Sequence, residues 1–330
     1  MRAALASAVL IAGGLLSLGA APATPPIILE SPIGCRVGEV CQIQQYFDHD
    51  PGPAAKDYRC TGETYDGHDG TDIRVPDMAA VRRGVPVLAS AAGTVRGGRD
   101  GMEDVNVSKI GGRAAVANRE CGNGVVIVHP GGWETQYCHM RKGSVLVKAG
   151  QAVSTGQTLG MVGMSGDAEF PHVHLSVRHG ADKIDPFAYG AAPGACATGA
   201  SLWSKTAQAQ FAYRSPAVLN TGFSAGAVSG DEVEAAAVSP ATRQGAGLVA
   251  YVRAIGLKQG DVAALRLSGP NGAEVGANTS APMNHDKAEW LMFAGRKRPA
   301  EGWAAGRYHA IFEVRRQGKI VLTRAFDLTL

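Results

Sequence analysis

Residues 124–139 read GVVIVHPGGWETQYCH. The stretch holds two β-like runs, 124–129 and 133–139, with Pro130-Gly131-Gly132 between them. Runs of this kind separated by Pro and Gly signal an antiparallel hairpin. Working outward, VPVLAS (85–90) leads through Gly93 into TVRGG, and SVLVKAGQAVSTGQTLGMVG (144–163) repeats the pattern with glycine at its turns. HVHLSVR (172–178) is a further strand. No stretch between 63 and 190 has the period of a long amphipathic helix. The polar, Gly-rich segment from Gly97 to Glu120 is a long loop between strands, a kind that is uncommon and often functional.

Strand patterning resumes after residue 217 with LVAYVRAI, VAALRLS, EWLMFA, RYHAIFEV and KIVLTRAFDL, separated by turn clusters such as SGPNGA and RRQGK. Tyr308, Ala310, Phe312 and Val314 share one face, as do Ile320, Leu322, Phe326 and Leu328. About seven short strands spaced by turns predict an immunoglobulin-like sandwich. No chemistry is evident there, and His285 and His309 read as surface residues. Residues 24–62, rich in Pro, Gly and Asp, read as an irregular N-terminal extension. Residues 191–216, which include an Ala/Gly-rich stretch and a weakly helical one, read as a linker.

The chain has 330 residues, which favours two domains. Its 44 glycines follow no collagen-like period and suit many strands joined by turns. A net charge of +3 without a long Lys/Arg run gives no reason to expect nucleic-acid binding. At the N-terminus, Arg2 precedes an apolar run from Ala3 to Ala21, followed by an A-x-A arrangement at Ala21 and Ala23. That is the layout of a secretory signal peptide over residues 1–23. The mature chain is then expected outside the cytoplasm, periplasmic or secreted, without stable membrane insertion. Six cysteines in an exported chain favour disulfides, and none sits in a C-x-x-C pair. The pairing leaned towards is Cys121–Cys138, with Cys35–Cys41 and Cys60–Cys196 completing it.

Two motifs carry chemistry. In PHVHL, His172 and His174 are two apart on a strand and point to one face, so both imidazoles can meet one cavity. In HDGTD, Gly70 lets the backbone bend so that His68 and Asp72 can converge on one ion. Two imidazoles and one carboxylate suit a catalytic zinc and leave a position open for water. Asp66 and Asp69 compete with Asp72 on chemistry alone. DGMEDVN (100–106) has the oxygen donors for calcium but reads first as a solvated acidic loop.

Together, GHDGTDIRVPDMAAVRRGVPVLASAAGTV, CGNGVVIVHPGGWETQYCHM, VSTGQTLGMVGMSG, PHVHLSV and DPFAY resemble the lysostaphin/LytM-type zinc endopeptidases of bacterial cell walls. The resemblance covers residues 63–190. It implies zinc (Zn2+) ligation by His68, Asp72 and His174, with His139 and His172 serving catalysis. Phe170 and Ser176 depart from the family pattern, standing where glycine and an acidic residue are usual. The expected architecture is mainly β: an antiparallel β-sheet metallopeptidase domain at 63–190, then a smaller immunoglobulin-like β-sandwich at 217–330. The implied function is hydrolysis of peptide cross-links in peptidoglycan, whose peptide stems are the expected partner. The alternatives are a non-catalytic regulatory wall-binding protein and an exported peptidase acting on proteins.

Overall fold

The computed structural model describes residues 26–330, so the signal peptide read at 1–23 lies outside the described residues. Ten strands occupy the first part: β1 (Gln42–Gln45), β2 (Thr71–Arg74), β3 (Pro86–Leu88), β4 (Gly93–Arg99), β5 (Asn123–His129), β6 (Trp133–Met140), β7 (Ala152–Val153), β8 (Thr158–Met161), β9 (His172–His179) and β10 (Asp182–Ile184). Eight of them form one sheet in the order β1-β2-β9-β6-β5-β4-β7, with β10 on β9, and every pairing in it is antiparallel. β3 and β8 make a separate ribbon. The hairpin read from 124–139 is β5–β6, closed at His129↔Trp133, with Gly131 and Gly132 at φ 75° and 81°. Those left-handed angles explain the two glycines.

The expected run at 144–148 forms no strand. Its backbone is already engaged, because Val145 N–H donates to an Asp100 carboxylate oxygen and Leu146 N–H to the Leu159 carbonyl. The acidic stretch 100–106 does more than meet solvent. Asp100 also accepts from Gly101 and Gly143 N–H, and Asp104 accepts from Lys142 and Met164 N–H, so both carboxylates pin the long loop to its neighbours. Within that loop lie two short 3₁₀ turns, 107–110 and 113–116.

The first core gathers Ile73, Val125, Ile127, Tyr137, Leu159, Val173 and Leu175 from the strands. Leu29, Ile33 and Tyr46 join it from the segment read as an N-terminal extension, and Leu202, Trp203 and Phe211 from the segment read as a linker. Burying such side chains stabilises by roughly 1.5–3 kcal/mol each, so both flanking segments add to this core. The cysteines pair as Cys35–Cys41, Cys60–Cys196 and Cys121–Cys138.

Beyond residue 216 come β11 (Ala217–Ser224), β12 (Gly247–Leu257), β13 (Val262–Ser268), β14 (Glu274–Thr279), β15 (Lys287–Lys297), β16 (Arg307–Arg316) and β17 (Lys319–Thr329). They form two antiparallel sheets, β11-β12-β15 and β14-β13-β16-β17, around a second core. Tyr308, Ala310, Phe312 and Val314 all point into it. Leu322, Phe326 and Leu328 pack at its margin, and Ile320 is 48% exposed. The chain is thus mainly antiparallel β. Among the described residues there are three short α-helices: α1 (Met78–Arg83), α2 (Lys205–Gln210) and α3 (Gly230–Ala235). Among the described residues, no helix is long and apolar enough to cross a membrane.

Candidate metal centre

The middle of the large sheet builds the site. Antiparallel register sets Asp72 opposite His174 and Arg74 opposite His172 across β2 and β9. Asp72, His172 and His174 are all buried. His68 arrives from the turn before β2. A Cβ on Gly70 would lie 2.5 Å from the Leu175 carbonyl oxygen and 2.6 Å from the His174 ring. Glycine is therefore needed for close approach to β9 as well as for the bend expected from the sequence.

One possible ligand atom from each of His68, Asp72 and His174 lies within 4.8 Å of the others, and all three residues are buried. His68 Nε2 is 3.2 Å from Asp72 Oδ2 and 3.2 Å from His174 Nδ1, and His174 Nδ1 is 2.7 Å from Asp72 Oδ1. Outer hydrogen-bond partners orient the rings. His68 Nδ1–H donates to the Tyr46 carbonyl at 2.6 Å, which leaves Nε2 as a bare lone pair facing Asp72 and His174. His174 Nε2–H points to Ser176 Oγ at 2.9 Å and Asp69 Oδ1 at 3.3 Å, which turns Nδ1 inward. Two imidazoles and a carboxylate, buried together, make a donor set that fits a cation. The surroundings of His174 favour its protonated form. Burial disfavours its charged form, but the hydrogen bonds to Asp69 and Asp72 outweigh burial and raise its pKa to about 9. Burial likewise opposes the Asp72 charge, yet the surrounding His68, His172 and His174 hold its carboxyl well below the usual range.

His139 and His172 stand beside this cluster, their ring centroids 4.5 Å apart. His139 Nδ1–H donates to the Ser165 carbonyl at 2.7 Å, and His172 Nδ1–H to the Phe170 carbonyl at 2.8 Å. Each keeps Nε2 as an acceptor. Burial lowers both pKa values. His139 is lowered further by His172 and His174, while Asp72 partly offsets the effect on His172. His139 also has φ 60°, a left-handed angle rare for a side-chain-bearing residue and common where function fixes the backbone. The open side is a cleft of about 360 Å³ whose further lining includes Gln45, Tyr65, Arg113, Asp167, Glu169 and Phe170.

The remaining histidines lie elsewhere. His129 is tied to the Ala92 carbonyl and Thr135, His179 stacks on Trp133, and His49 is paired with Asp185. Sequence reasoning missed two participants. Asp69, weighed only as a rival of Asp72, faces the far nitrogen of His174 and also Lys183 at 2.8 Å. Tyr65, though 46% exposed, lies with its ring 4.6 Å from His68, and partial desolvation together with Asp72, Asp167 and Asp69 pushes its phenol pKa up. Neither had a motif to mark it, although Asp69 sits inside HDGTD.

Residues 66–186 match Peptidase family M23, a family of metallopeptidases. These residues form an M23 peptidase domain. The lysostaphin/LytM-type resemblance read from the motifs agrees with that match. The stretch is 32% identical over 125 residues to the cell division protein DipM of Caulobacter vibrioides, covering 36% of this chain and 16% of DipM. It is 35% identical over 110 residues to the peptidoglycan DD-endopeptidase ShyA of Vibrio cholerae, covering 33% of this chain and 20% of ShyA. The chain therefore spans about a fifth or less of the length of these curated relatives. A zinc-containing peptidase from Vibrio cholerae of known structure aligns at 25% identity and a TM-score of 0.28, over 43% of this chain and 39% of that one. At that score the superposition carries no weight. Asp72, His139, His172 and His174 line one cleft, and His68 lies behind it against Asp72 and His174.

Proposed function

We propose that this protein is an exported zinc metalloendopeptidase that hydrolyses peptide cross-links of peptidoglycan. The observation that carries the reading is the convergence of three buried donor side chains, His68, Asp72 and His174, beside two further imidazoles, His139 and His172, each anchored through Nδ1 with Nε2 turned away from that anchor. His68, Asp72 and His174 would hold the metal, and two imidazoles with one carboxylate suit zinc. When bound, zinc supplies Lewis acidity towards a carbonyl and acidifies water. His139 and His172 then act as general base and general acid: one accepts a proton at Nε2 from water, and the other, once protonated, gives it to the departing amine. Three disulfides support a chain that matures outside the cytoplasm, periplasmic or secreted. The naming of ShyA as a peptidoglycan DD-endopeptidase supports a peptide bond of the wall as the target.

The test is digestion of purified sacculi by the zinc-loaded chain, with and without chelator, read by mass spectrometry. New amino termini on intact glycan strands, absent with chelator, are expected. New reducing sugar ends with untouched peptides would overturn the reading, as would chelator-insensitive cleavage.

A further inference from the structure

Arg74 lies two residues beyond Asp72 on β2, directly across from His172, and is fully buried. A buried guanidinium needs partners for its charge and its N–H groups. Nη1 donates to Gln44 Oε1 at 2.6 Å and Glu289 Oε2 at 2.8 Å, and Nη2 donates to Glu234 Oε2 at 2.6 Å. Glu234 lies on α3 and Glu289 on β15, both beyond the M23 domain. The face of Phe170 covers the guanidinium at 4.4 Å, a cation–π arrangement. Arg253 of β12, also fully buried, donates to Glu234 Oε2 at 2.7 Å and to the Pro76 carbonyl. Two arginines thus balance two glutamates in one network across the two cores.

Phe170 links this network to the site. Its ring lines the cleft and lies 4.6 Å from the His172 ring, and its carbonyl takes the His172 Nδ1 proton. We propose that the C-terminal two-sheet region is a working part of the hydrolytic site, with Arg74 as the positioning residue that fixes Phe170 and, through it, His172. The Glu234 and Glu289 carboxylates hold the guanidinium, the guanidinium holds the ring, and the Phe170 carbonyl holds the imidazole tautomer and angle. The proposal rests on the catalytic role proposed for His172. It gives residues 217–330 a task that their own sequence does not display.

The experiment uses the full, zinc-loaded chain with Glu234→Gln, Arg74→Lys and the milder Glu289→Gln. Asp231→Asn serves as control, because Asp231 lies on the same helix as Glu234 but pairs with the exposed Lys109 of the long loop. Glu234 is decisive because its hydrogen bonds go to Arg74 and Arg253 and not to Phe170 or His172. Zinc content, kcat and KM on a purified cross-linked muropeptide dimer, and the His172 imidazole resonances are measured. Glu234→Gln is expected to shift the His172 resonances, keep its zinc and lower kcat about 10- to 100-fold, with a smaller change in KM. Asp231→Asn is expected to match wild type. If Glu234→Gln fails to fold, Glu289→Gln carries the same expectation. Unshifted His172 resonances in the folded glutamate variants would overturn the proposal, whatever the rates. An inactive wild type whose glutamate variants still shift His172 would sink the peptidase reading and leave the positioning network standing.

Discussion

His174 and His309 each sit 2.7 Å from an aspartate, one in the M23 domain and one in the C-terminal sheets. The side chains of the first pair are 10% and 3% exposed, and those of the second 39% and 34%. His174–Asp72 is buried beside a third donor, and two more imidazoles complete the setting. His309–Asp327 lies at the surface with Arg307 as its other neighbour, a cation that already answers the carboxylate. The same contact distance therefore belongs to a candidate metal centre in one region and an ordinary surface pair in the other. Convergence of donors with no cation of their own, away from water, makes the difference.

The sharpest break of that comparison is to remove one imidazole from each side. His174→Ala is expected to abolish zinc binding and turnover together, while His309→Ala changes neither. Elemental analysis beside the sacculus digest checks it, and equal zinc in His174→Ala and wild type would refute the ligand set. Next in size, His139→Ala and His172→Ala are each expected to keep zinc and lose ~10²–10⁴-fold in turnover, the usual contribution of a general acid or base. Loss of zinc from either variant would make that histidine a ligand instead. The smallest effect concerns the outer partner of His174. Ser176→Ala removes the 2.9 Å contact but leaves Asp69, so zinc affinity is expected to fall about tenfold, at the low end for such partners. Chelator competition measures it, and wild-type affinity would show that Asp69 alone orients the ring.

Much of this was legible in the residues. The β5–β6 hairpin could be read because alternation and Pro-Gly-Gly are both local signals. The five candidate residues could be singled out because their spacing matches a known pattern. What stayed hidden depends on distant partners. Arg74, in TDIRVP, looks like any polar strand residue, and its burial requires Glu234 and Glu289, 160 and 215 positions away. Leu202, Trp203 and Phe211 sit in a stretch whose composition suggests a tether, yet they pack into the first core. The 144–148 run has strand-like alternation, but Asp100, more than forty positions earlier, takes one of its backbone donors. The role of Asp69 turns on which way one ring faces, a choice made by tertiary packing.

His68 and His174 are 106 positions apart, on opposite sides of the long loop and the β5–β6 hairpin. A chain ending anywhere between Asp72 and His174 carries two of the three donors at most. A chain of full length but unclosed sheet has all three and brings none of them together. On the proposed reading, capture of an ion would report completion of the architecture, and a half-made or loosened molecule would be chemically silent.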